Sequence, residues 1–113
     1  MEQNNRTFCT AHAKRRARKR LGVPKASVQS ITERAYNYGV KYEQAKSSLH
    51  RYFDGIARQG HLTVNDIRVY HRSVYIFDHA TLVTVFPLPR KYHGVADGLE
   101  RKMANSNDIG EAD

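Results

Sequence analysis

Ile67-Arg68-Val69-Tyr70-His71-Arg72-Ser73-Val74-Tyr75-Ile76-Phe77-Asp78-His79-Ala80-Thr81-Leu82-Val83-Thr84-Val85-Phe86 is the stretch that decides the fold. Ile67–Tyr70 and Val74–Phe77 alternate with the period of a strand, in which successive side chains point to opposite faces. His71-Arg72-Ser73 is short enough for a hairpin turn, although it lacks the usual glycine. Asp78-His79-Ala80 supplies a second turn. Thr81–Phe86 is the most β-prone segment of the chain, and Pro87 ends it. The spacing predicts strands near 66–70, 74–77 and 81–86, joined as a three-stranded antiparallel meander. Such a sheet needs a covered face.

The cover comes from the preceding sequence, where the period changes to that of a helix. Thr10 caps a predicted helix that runs to Leu21 and stops at Gly22 and Pro24. A second helix is expected over 25–38, with Val28, Ile31, Ala35 and Tyr38 on one stripe before Gly39. A third is expected over 42–59, with Ala45, Leu49, Tyr52, Phe53 and Ile56 on one face and Gly60 at its end. The fold class expected is α+β, with three N-terminal helices packed on the three-stranded meander. Residues 1–9 read as a flexible arm and 10–90 as a single domain. Residues 91–113 read as a mostly disordered acidic tail, because Gly, Asn, Asp and Ser dominate after Ala104. The expected core is Val28, Ile31, Ala35, Leu49, Phe53, Ile56, Ile67, Val69, Val74, Ile76, Val83 and Val85.

At 113 residues the chain has the size of one domain, and 40% hydrophobic residues make it globular rather than disordered. No apolar run approaches the ~18 residues of a membrane span. The polar stretch Met1–Thr10 has no apolar segment of a secretory signal, and the single Cys9 fits a reducing cytoplasm. Charge is more informative. Nineteen Lys and Arg against eleven Asp and Glu give +8. Residues 94–113 hold Arg101 and Lys102 against Asp97, Glu100, Asp108, Glu111 and Asp113, a balance of −3, which leaves +11 on residues 1–93. A body this basic attracts polyanions, and counterion release drives their binding. Nucleic acid is the expected partner, RNA above DNA; an acidic protein or an anionic membrane would satisfy the same charge.

The basic residues concentrate in the first helix. Six of the seven residues from Lys14 to Arg20 are Lys or Arg, with Ala13, Ala17 and Leu21 forming a narrow apolar seam. His12, Arg16 and Arg20 form a polar row that borders the sheet, and Lys14, Arg15, Arg18 and Lys19 point to solvent. Lys14, Arg15, Arg18, Lys19 and Arg20, with Arg72 of the first hairpin, are the expected phosphate contacts. The alternative for the helix is a solvated basic face whose long stems cover apolar surface. On the sheet, the face opposite the expected core carries Arg68, Tyr70, Tyr75, Phe77, Thr84 and Phe86. Aromatics beside an arginine on an open sheet suit base stacking and phosphate contact. Those residues are equally favoured in strands for their own sake, and that face could also pack on a helix or on a second copy of the chain.

None of the six histidines has a metal-ligand spacing, and there is no CxxC, P-loop, GxGxxG or GxSxG. No metal site and no cofactor are expected. RNA cleavage needs neither: a base accepts the 2′-hydroxyl proton, cations stabilise the phosphorane and an acid protonates the leaving oxygen.

The pattern His12-Ala13-x-x-Arg16-x-x-x-Arg20, then Gly22-Val23, a further helix, and strands that end in the pair Thr84-Val85, resembles a family of small bacterial and phage domains grouped by fold with the RelE- and barnase-like toxin ribonucleases. The resemblance covers about residues 10–86, with the helix over 42–59 outside the simple pattern. It implies helices packed on an antiparallel sheet, with His, Arg, Tyr or Thr side chains cutting RNA without metal. His12, Arg16, Arg20 and Thr84 are the matching positions. With Arg68 and Tyr70 beside them on the sheet, the expected catalytic set is His12, Arg16, Arg68, Tyr70 and Thr84. A general likeness to proteins encoded by phages and mobile elements implies another role, an inhibitor or adaptor that binds a host protein. Three functions therefore compete: a metal-independent endoribonuclease, a non-catalytic nucleic-acid-binding domain and a protein-binding inhibitor.

Overall fold

The computed structural model describes residues 7–112, with side chains to residue 105. The expected α+β class holds, but two features differ from expectation: the sheet is mixed and four-stranded, and a fourth helix follows it. In chain order the elements are β1 (Phe8–Cys9), α1 (Ala11–Leu21), α2 (Val28–Tyr38), α3 (Ser47–Gly60), β2 (Ile67–Tyr70), β3 (Ser73–Asp78), β4 (Thr81–Pro87) and α4 (His93–Ala112). The sheet order is β1-β4-β3-β2. β2, β3 and β4 form the expected meander, and β1 adds to β4 in parallel through Phe8–Thr81 and Cys9–Leu82.

Within the stretch expected to be a loose arm, Met1–Arg6 lie outside the described residues. Thr7 is buried, and Gln29 Nε2 donates to its carbonyl at 2.8 Å and to its hydroxyl at 3.2 Å. Thr10 caps α1 as expected, its hydroxyl accepting from the Ala13 amide at 3.0 Å, and Gly22 ends the helix with φ 69°. α2 begins three residues later than expected, after a 3-10 turn over Lys25–Ser27. Gly39 then lets the chain pass close to β2. A Cβ there would stand 3.2 Å from the Val69 carbonyl and 2.5 Å from that of Ala35. This approach allows Val40 and Val69 to exchange amide-carbonyl bonds at 2.7 and 3.0 Å. The bridge and the buried Ala45 break the expected helix over 42–59 in two: Tyr42–Gln44 is a separate 3-10 turn and α3 starts at Ser47.

Both faces of the sheet are covered. Ala13 and Ala17 of α1 and Val28 and Ala35 of α2 pack on Tyr75, Phe77, Leu82 and Val85. Leu49, Phe53 and Ala57 of α3, with Ala96 of α4, pack on Ile67, Val69, Val74 and Ile76 on the other face. Phe53 is fully buried and Phe77 nearly so, and burying such a side chain contributes roughly 1.5–3 kcal/mol. α4 occupies the stretch expected to be a disordered tail. Ala96, Leu99 and Met103 lie at i, i+3 and i+7 and face the core. Their stripe gives a helix that tertiary packing can hold.

Nine of the twelve expected core residues are buried; Ile31 and Ile56 are half-buried, and Val83 is 39% exposed. The cause is a β-bulge. Ile76 pairs with Thr84 but Phe77 pairs with Leu82, so Val83 has no partner. One extra residue re-aims the strand around it. Leu82 and Val85 therefore face α1 and α2, and Thr84 and Phe86 fall on the opposite face, the reverse of expectation for Thr84, Val85 and Phe86 but not for Leu82.

Candidate nucleic-acid interface

α1 owes its basic surface to two small residues. Ala13 and Ala17 are the only positions buried along it, so the helix backbone lies close over β4 while Lys14, Arg15, Arg18 and Lys19 stay exposed and Leu21 packs at its end. His12, Arg15, Arg16, Lys19 and Arg20, at i, i+3, i+4, i+7 and i+8, line one groove of about 340 Å³. Arg15 and Lys19 thus join the row expected of His12, Arg16 and Arg20 alone. Lys14 and Arg18 are exposed on the other flank of the helix. Arg16 Nε donates to His12 Nε2. Arg20 Nη1 donates to the Val85 carbonyl at 3.3 Å, on the part of β4 beyond its pairing with β1. Among the described residues, no carboxylate lies within ion-pair distance of any Lys or Arg of α1. Among the described residues the charge is uncompensated, and its concentration in the last turn (Arg18, Lys19, Arg20) suits the negative end of the helix dipole.

The expected catalytic set does not converge. His12 and Arg16 touch each other, but the other three members lie elsewhere. Arg68 is buried beneath α2, its guanidinium 5.0 Å over the Tyr36 ring and donating to the carbonyls of Asn65 and Tyr36. Desolvation lowers its pKa, with Tyr36, Asp66 and Glu43 opposing that fall. It is a structural cation. Tyr70 stacks on His71 with centroids 4.0 Å apart and lines a separate cavity of about 450 Å³ with Tyr38, Glu100 and Arg101. Burial raises its pKa. Thr84, shifted by the bulge, lies on the face covered by α3 and α4, opposite to α1.

Two expected contact surfaces are also taken up by the fold. Tyr75 and Phe77 are 3% and 2% exposed, and Tyr36 packs edge-on against Phe77 at 4.9 Å. Neither of these two rings is exposed for stacking. Arg72, expected on phosphate, is bound to Asp97, with Nη2 at 2.7 Å and Nε at 3.1 Å from Oδ2. α1 and α2 cover the Tyr75–Phe77 face, and α4 brings Asp97 to the hairpin that carries Arg72.

Among the described residues, no group of three or more His, Cys, Asp or Glu is placed to hold a metal ion. No helix there is long and apolar enough to cross a membrane. Compared with family models, curated proteins and solved structures, the chain matches none.

Proposed function

We propose that this protein is a nucleic-acid-binding domain whose first helix contacts the phosphate backbone, with RNA the preferred polymer. The observation that carries the reading is the exposed cationic row of α1, without an ion-pair partner among the described residues, on a helix that Ala13 and Ala17 seat on the sheet. Long flexible cations without carboxylate partners lose no ion pair when a phosphate arrives, and each contact releases condensed counterions. With Arg68 buried, Tyr70 in another cavity and Thr84 on the far face, support goes to binding rather than cleavage. A filter-binding titration at low salt, with single-stranded RNA, single-stranded DNA and duplex DNA, tests the reading beside a metal-free RNA cleavage assay. Binding without cleavage, with similar affinity across sequences, is the expected result. No binding to any of the three polymers would leave a protein partner as the surviving role. Cleavage that His12→Ala abolishes, with affinity retained, would favour the ribonuclease.

A further inference from the structure

A second cationic groove lies on the opposite side of the sheet from α1. It runs between α3 and the 3-10 turn Arg90–Tyr92 and encloses about 560 Å³, within the range of small-ligand sites, ~300–1,000 Å³. Arg51, Tyr52, Gly55 and Ile56 of α3 form one wall, and Lys91 and Tyr92 form the other. The Tyr52 and Tyr92 rings pack with centroids 4.4 Å apart, and Lys91 Nζ lies 5.2 Å from the Tyr92 centroid. No carboxylate lines the groove. Among the described residues Arg51 and Lys91 have no carboxylate partner, and both are exposed.

Gly55 is the informative residue. Its backbone is helical and a Cβ there would meet nothing within 4 Å. Neither conformation nor close packing calls for glycine, which in a helix interior is among the least favourable residues. Its effect is an open notch one turn along from Arg51 and Tyr52.

We propose that this groove binds a nucleotide, with the base packed against the Tyr52–Tyr92 pair and the phosphate held by Arg51 and Lys91. Aromatic rings accept any base face, and a guanidinium matches phosphate oxygens in pairs. Ser48 and Gln59, also on the lining, supply hydrogen-bonding groups for the base edge. The site stands independently of the phosphate contacts of α1, since the two lie on opposite layers.

Amide NMR titration of the full chain with adenosine 5′-monophosphate, adenosine and inorganic phosphate tests it. The monophosphate is expected to bind about tenfold tighter than either fragment, with shifts centred on Arg51, Gly55 and Tyr92. Gly55→Leu should fill the notch and weaken binding about tenfold or more while Tm holds or rises. Arg51→Gln, at an exposed position, should weaken the monophosphate but not adenosine. Arg15→Gln with Lys19→Gln should leave the response of Arg51, Gly55 and Tyr92 to the monophosphate unchanged, whatever it does at α1. The proposal is overturned by monophosphate binding no tighter than phosphate, by shifts confined to α1, or by Gly55→Leu keeping full affinity. A fall in Tm for that variant would equally remove the argument from the notch.

Discussion

Arg72 grips the Asp97 carboxylate through two nitrogens, Nη2 at 2.7 Å and Nε at 3.1 Å, and so ties the β2–β3 turn to α4. The same turn is held a second time by Glu100, whose Oε2 accepts from the His71 amide at 3.1 Å. The hydrogen bond from Arg72 pulls the Asp97 pKa below its usual 3.8. Burial pushes Glu100 above its usual 4.5, against the His71 amide and charge. A depressed carboxylate stabilises the fold above its unfolded pKa and loses that contribution as pH falls through the folded value. A raised one acts in the other sense: the folded state holds its proton more tightly, so its unfavourable contribution grows as pH rises from 4.5 through the folded value. Carboxyl NMR titration should find Asp97 titrating below 3.8 and Glu100 above 4.5. Arg72→Gln should return Asp97 towards 3.8; an unmoved Asp97 would show that the pair does not persist in solution.

Both hairpins use two-residue turns with left-handed backbone at non-glycine residues: His71 and Arg72 at φ 46° and 65°, His79 and Ala80 at 51° and 68°. That conformation costs a side-chain-bearing residue ~1–2 kcal/mol, and glycine removes the cost while adding ~0.4–1 kcal/mol of unfolded-chain entropy. Ala80→Gly should therefore stabilise the protein by roughly 0.5–1 kcal/mol in urea denaturation. A loss of stability would show that the turn is not left-handed at this position.

Phe53 is fully buried between α3 and the sheet. Phe53→Ala should cost roughly 3–5 kcal/mol in the same measurement. A cost under about 1 kcal/mol would contradict that burial.

The alternation in Ile67–Phe86 announced three strands and two turns, and the caps Thr10 and Gly22 bounded the basic helix. What stayed hidden had specific causes. The bulge at Val83 leaves no local signal, yet it moves Leu82 to one face and Thr84 to the other. β1 is two residues long, too short to show a period. The α4 stripe Ala96–Leu99–Met103 is masked by Gly94, Gly98 and a polar surround. The burial of Arg68 and the capture of Arg72 depend on partners 25 to 32 residues away, which no local pattern shows.

If α1 holds nucleic acid by phosphate contacts, as proposed, binding must weaken with salt in proportion to the number of those contacts. For a single strand, each contact contributes about −0.7 to the slope of log K against log salt. Arg15→Gln with Lys19→Gln, both exposed on the groove of α1, should flatten that slope by about 1.4, and equally for RNAs of different sequence. An unchanged slope in the double variant, or no binding by the parent protein at low salt, would rule out phosphate binding by α1.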